Sequence, residues 1–517
     1  MKREHIQAAL WILAALLLWE ALGRMFQGVR DLIAAPSLII EQYGADAGLY
    51  VPHLLATIRS ASFGFTIGNC VAIAAAILFC RFPAVERAFR GVNISLFAMP
   101  AIVVGPVLAI IFSDDLPQII LAALVVYFPT MSATLVGLRD IDPRLPDVVS
   151  TYGGGPGAIL RFVRLRSALP AILAGLRTAA PLSILGAMLG EFGSGVRWGL
   201  GSFLLGSLGD ADPARLLGIG FAATAVALVG YAAFAWLGRR AAGASVAVTL
   251  AADRSPDEIS SAAPNSPAGG LVLLMVAVTL PFALWWVILR VSRISPIIAP
   301  GPLQTFNYLA IGPDSSDARS ALLSALGQTL PLAAAGLVCG VLAAFILAAL
   351  TVVRPALAKA LLPPAMLLQS MPLVALVPLV LLLFGRDTLA SVVIAVLVVF
   401  FPAFVLLAQG FALVPRAARE LVHVYGGSRA QELALVSLPY ASPYLFAAAK
   451  LAAPRALLGV MVAEWLLSGK GLGNLLNSSR GLLDYDMVWA GAVTSILIAV
   501  MAYEAISWIE RASRRRP

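Results

Sequence analysis

Arg455, Glu191 and Glu464, with two short charged segments around Asp147 and Glu420, stand out as ionisable groups set within or beside long apolar stretches. An ion at membrane depth is costly and ordinarily faces a cavity, a partner or a solute path. Arg455 is the sharpest case, because a guanidinium is a fixed cation whose planar fork can hold an anionic or planar polar group. Arg455 and Glu464 are nine residues apart (464 − 455). On one helix that spacing is about 13 Å along the axis and on different faces, so the two are not a direct pair. Gln369, Gln409 and Asn93 are neutral polar groups that would complete a path for a polar or anionic solute. The competing reading is that Arg455 only ties neighbouring helices together. Glu191 and Glu464 fall near the expected outer ends of their spans, where a carboxylate serves either as a gate or as a wet interfacial group.

Other chemistry is poorly supported. Cys70, Cys80 and Cys339 lie in or beside apolar runs, and His5, His53 and His423 are scattered, so neither a disulfide framework nor a metal site is suggested. No GxxxxGK[ST] phosphate loop is present, so if ATP drives this protein another chain binds it, with its magnesium. Nothing resembles paired catalytic carboxylates, and no enzymatic activity is expected of this chain.

The elements that position these residues follow from composition. Of 517 residues 60% are hydrophobic and only 12% charged, and the apolar residues come in runs that only lipid can cover. Charge-free stretches predict spans at Ala61 to Cys80, Gly91 to Ser113, Leu116 to Leu138, Leu216 to Gly238, Ser320 to Val353, Ala360 to Gly385 and Thr388 to Pro415. Less clean spans are expected at Ile6 to Leu22, Pro170 to Gly190, Leu271 to Leu289, Ser442 to Leu467 and Met487 to Ile509, about twelve in all. Basic residues such as Arg81, Arg87, Arg90, Arg139, Arg161, Arg164, Arg239 and Arg240 then gather on one side, with Arg24, Arg30, Arg59, Arg197 and Arg215 on the other. The richer side is the cytoplasm, which places both termini inside. Topology and anionic lipid account for the net charge of +9 without a nucleic-acid partner.

An internal repeat organises the chain. Met99-Pro100 recurs as Met371-Pro372, displaced by 272, and Phe128-Pro129, Tyr152-Gly153-Gly154, Pro170, Pro181 and Glu191 recur as Phe401-Pro402, Tyr425-Gly426-Gly427, Pro443, Pro454 and Glu464, displaced by 273. Two like-oriented units are expected at 1–240 and 271–517, joined by a cytoplasmic linker at 241–270 rich in Ala, Ser and Pro. Arg455 has Leu182 as its counterpart, so any solute contact there is one-sided. Pro181 and Pro454 predict a kink or local opening in each unit.

In each unit one polar segment interrupts the pattern between the fourth and fifth spans. In the second unit it runs from Pro415 through Arg419, Glu420, Tyr425, Gly426 and Gly427 to Leu438-Pro439. Gly426-Gly427 should end one short helix, and a second helix should follow up to Pro439. The first unit has Asp147, Tyr152, Gly153 and Gly154 in the same places but Arg166 where Pro439 stands, which predicts a less regular knob.

Glu420, a Gly six positions on and the Leu-Pro thirteen further resemble the cytoplasmic loop of ABC importer permeases, and Glu464-Trp465 followed by Gly471-Leu472-Gly473-Asn474 is similar to the nitrate, sulfonate and taurine branch. The resemblance implies an all-α integral membrane protein of two tandem six-helix units with the type I ABC importer fold, in a bacterial inner membrane. It implies coupling helices that engage two separate ATPase subunits. It also implies a periplasmic or lipid-anchored solute-binding protein that delivers a small polar or anionic solute, with another solute such as a vitamin precursor as the alternative cargo. A twelve-span secondary transporter would share the duplication, yet it needs no such knob in each half, and the Gly-x-x-x-Asp-Arg type loop expected of it is absent from Arg81 to Arg90.

Overall fold

A computed structural model describes residues 16–25, 34–142, 144–210, 212–242, 267–369 and 371–514. The first unit comprises α1 (Pro36–Ala45), α2 (Ala47–Arg81), α3 (Pro83–Ala98), α4 (Ala101–Ile111), α5 (Leu116–Arg139), α6 (Arg144–Thr151), α7 (Pro156–Ser194), α8 (Leu200–Ser207) and α9 (Pro213–Ala242). The second repeats it as α10 (Pro267–Ser292), α11 (Pro302–Ala310), α12 (Ser315–Val353), α13 (Pro355–Leu368), α14 (Leu373–Phe384), α15 (Thr388–Ala412), α16 (Arg416–Val424), α17 (Arg429–Leu466), α18 (Gly471–Gly481) and α19 (Tyr485–Arg514). No strand occurs among the described residues.

Nine helices are long and apolar enough to cross a membrane among the described residues, against the twelve spans expected. Two of the expected spans are broken. The run from Gly91 to Ser113 is divided between α3 and α4, which meet at 98° across Met99-Pro100, and the run from Ala360 to Gly385 is divided between α13 and α14 at Pro372. The cause is local: a residue preceding proline is pushed out of the α region, and Met99 has ψ 119. A tally of charges cannot see such a break. The remaining run, Ile6 to Leu22, and nearly all of the 241–270 linker lie outside the described residues, apart from the helical stretch at 16–25 and the ends of α9 and α10.

Within each unit the long helices pack through small residues, as lipid-embedded helices do when backbones must approach closely. Gly64 of α2 faces Ala122 of α5, and Gly336 of α12 faces Ala395 of α15 in the same way. The units also interlock. α10 packs on α3 of the first unit, so closely that a Cβ on Gly91 would overlap the Ala277 backbone, while α9 packs on α14 of the second. One apolar core runs across the seam, from Ile102, Val107 and Met188 to Val377, Leu457 and Met461. At one membrane face Arg215 ties α9 to the α1–α2 corner through Asp46 at 2.7 Å, holding that carboxyl below the ordinary aspartate range.

Pro181 and Pro454 lie inside α7 and α17 without interrupting either helix. Pro439 likewise does not stop its helix, contrary to expectation. A π-helical turn at Leu433–Ser437 shifts the hydrogen-bond ladder just before it, so Pro439 enters at the second position of the following α stretch, where its missing N–H is tolerated. The first unit has the same π turn at Leu160–Arg164, ahead of Arg166, so the turn does not depend on the proline.

Candidate functional site

Both polar segments fold into helix–turn–helix knobs at the starts of α7 and α17. α6 and α16 each end next to a tyrosine, and the chain then reverses through Gly153 and Gly426, at φ 79 and φ 75. Only glycine enters that region without strain. Gly154 then donates its N–H to the Val149 carbonyl at 2.9 Å, and Gly427 donates to Val422 at 2.8 Å, closing the same six-residue loop in each. The first knob follows the course of the second, so the expected irregularity reduces to its cap. Ser428 and Gln431 form a reciprocal capping box, whereas Gly155-Pro156 offers no side-chain cap. The second knob is further braced by His423, whose Nε2 lies 3.0 Å from the buried Glu432 carboxylate.

Each knob presents apolar side chains to solvent beside charge. Val148 and Tyr152 are exposed next to Asp147 in the first, and Leu421 and Tyr425 next to Glu420 in the second, with the two tyrosines 88% and 84% exposed. Arg419 is half-buried, with its Nε buried and without a hydrogen-bond partner among the described residues. Pro439 is exposed on the flank of α17.

At membrane depth the expected path residues are dispersed. Asn93 is buried and accepts a hydrogen bond from the Tyr127 hydroxyl at 3.1 Å. Gln369 is half-buried at the α13–α14 break, and Gln409 on α15 keeps a buried side-chain oxygen without a donor. Arg455 borders a small crevice whose other walls, including Val399, Leu406 and Leu451, are apolar side chains of α15 and α17. That crevice lies inside the second unit.

Glu191 and Glu464 are not wet, since each is only 2% exposed. Glu191 accepts from the Thr57 hydroxyl at 2.6 Å and from the Gly201 N–H at 2.5 Å, while the Leu200 N–H donates to Thr57 at 2.8 Å. Glu464 repeats the arrangement with Thr329 at 2.7 Å and the Gly473 N–H at 2.9 Å, and the Leu472 N–H donates to Thr329 at 2.8 Å. In each unit a buried carboxylate therefore pins the first turn of a short helix, α8 or α18, to two crossing helices, satisfying N–H groups that have no partner within that helix. The reading of these residues as wet carboxylates is corrected by this geometry.

Two features were missed by reading the sequence. Lys450 on α17, 1% exposed, pairs with Glu510 on α19 at 2.8 Å, and Arg177 at the matching position on α7 bonds and stacks on Tyr231 of α9. Applying the displacement of 273 to Arg177 (177 + 273 = 450) would have exposed that pair of cations. Thr57 and Thr329 carry a similar signal, being 272 apart (329 − 57), but ordinary threonines attract no notice.

The family of binding-protein-dependent transport system inner membrane components matches this sequence twice, over residues 68–243 and 336–515. The chain belongs to this family. It is a tandem-fused ABC permease, with one matched segment in each half. The riboflavin transport system permease protein RibX of Chloroflexus aurantiacus is 32% identical over 155 residues, which are 30% of this chain and 58% of that protein. The formylaminopyrimidine transport permease protein ThiX of Halalkalibacterium halodurans is 27% identical over 45% of this chain and 94% of its own length. A putative aliphatic sulfonates transport permease protein SsuC of Bacillus subtilis is 27% identical over 46% of this chain and 84% of its own. These relatives are transport permeases, and the permease described here is likewise a multi-pass membrane protein of a system that works with a solute-binding partner.

Proposed function

We propose that this permease is the complete membrane pathway of an ATP-driven importer for a small polar or anionic solute, with both termini and both knobs in the cytoplasm. The observation that carries this reading is the pair of knobs. Two equivalent protrusions, each pairing exposed apolar side chains with one carboxylate, suit docking into grooves on two ATPase subunits. Asp147, Tyr152, Gly153 and Gly154 form one contact, and Arg419, Glu420, Tyr425, Gly426 and Gly427 the other. Closure of the ATPases on ATP then rocks one unit against the other about the seam, opening the path alternately to the two faces. The chain is expected to contribute no catalytic group of its own, and a binding protein delivers cargo to the face away from the knobs.

Fusion sets the stoichiometry. Native mass measurement of the purified transporter should give one copy of this chain with two ATPase subunits, and two copies per complex would overturn the proposal.

A further inference from the structure

Arg480 is set apart by its place at the seam between the units, whereas Arg164, another half-buried arginine with no carboxylate partner among the described residues, bonds the Leu138 carbonyl and the Cys80 sulfur within the first unit. Arg139 is paired with Glu86, Arg215 with Asp46, and Lys450 with Glu510, while Arg177 lies on the Tyr231 ring. Arg480, half-buried in the last turn of α18, pairs with no carboxylate among the described residues. Its Nη1 donates to the Phe192 carbonyl at 3.2 Å, on α7 of the other unit. A guanidinium has five donors in a fork that fits an oxyanion, and removing it from water without an anion is expensive.

Its position is informative. Phe192 follows the buried Glu191, near the end of a helix of 39 residues that begins at the first knob. At about 1.5 Å per residue that is roughly 58 Å from the knob, so Arg480 lies at the opposite face, on the seam between the units. The repeat does not mirror it. Arg480 corresponds to Leu208 (480 − 272) and Phe192 to Trp465 (192 + 273), so the seam carries one guanidinium where a permease of two identical chains would carry two. Two such cations facing each other across a seam would repel. A single one can receive a single anion.

We propose that Arg480 is the anion-receiving residue at the entrance of the path, holding a sulfonate, carboxylate or similar oxyanion of the solute as it enters between the units. This rests on the importer reading above and narrows the cargo to one with an anionic group.

The test uses the full transporter in nanodiscs, with methanesulfonate as the probe. At matched ionic strength against chloride, methanesulfonate should raise the melting temperature of the wild type by roughly 3 °C or more. Arg480→Lys should keep part of that shift, and Arg480→Gln should lose it. No shift in the wild type, or an equal shift in Arg480→Gln, would overturn the proposal. Co-purification of ATPase subunits with the wild-type chain, scored on the same preparation, tests the importer reading separately, and its failure leaves the melting comparison standing.

Discussion

The two carboxylate staples, Thr57–Glu191 and Thr329–Glu464, share the same three contacts, whereas the cations about two and a half to four helical turns before them on α7 and α17 do not match. Lys450 has a carboxylate partner while its counterpart Arg177 has a tyrosine, and Arg455 and Arg480 correspond to leucines in the other half. Groups that hold each unit's fold were kept in duplicate, and groups that set the charge of the interior were free to diverge. Fusion makes that possible, because each half can change without altering its partner.

The sharpest way to break this comparison is to remove the staples. Glu464→Ala and Glu191→Ala each leave a helix N–H without its acceptor in a dry interior, which should cost about 3 kcal/mol each. The two losses should agree to within about 1 kcal/mol in detergent unfolding, since each carboxylate accepts from the same helix N–H in equivalent surroundings. A staple whose loss goes unnoticed beside a severe effect at the other would show that the units are not equivalent even here.

Divergence should show next. Lys450→Met takes from the buried Glu510 a cation 2.8 Å away, which should cost about 2 kcal/mol or more. Arg177→Met loses one hydrogen bond and a ring contact, nearer 1 kcal/mol. Equal effects in the same unfolding assay would erase the proposed difference.

The most local effect on stability belongs to the knobs. Gly153→Val or Gly426→Val forces a β-branched residue to positive φ, at about 1–2 kcal/mol confined to an exposed turn. Insertion and expression should survive while stimulation of the partner ATPase falls. Normal stimulation in both variants would remove the knobs from coupling.

Much of this was legible in the chain. The repeat offsets, the apolar runs and the Gly-Gly turns each rest on local rules, and the helices follow them. What escaped depends on neighbours far along the sequence. Glu191 reads as an interfacial carboxylate until Thr57, 134 residues earlier, is seen beside it. Pro439 reads as a stop because a π turn leaves no compositional mark. Met99-Pro100 did carry a signal, but an uninterrupted apolar run outweighed it. Nothing in the residues around Arg480 marks a seam, and only the placement of Phe192 reveals one.

The interlocking of α10 with α3 bears on how the protein is made. Gly91 packs against Ala277, a residue synthesised 186 positions later (277 − 91). At about 5–20 residues per second, a ribosome needs roughly 10–40 s to supply it. During that interval the nascent first half stands in the bilayer with the seat for α10 covered only by lipid or by the insertion machinery. Covalent fusion guarantees that the correct helix arrives next, tethered and in order, so assembly of the two halves is a step of translation and does not wait on a diffusional encounter.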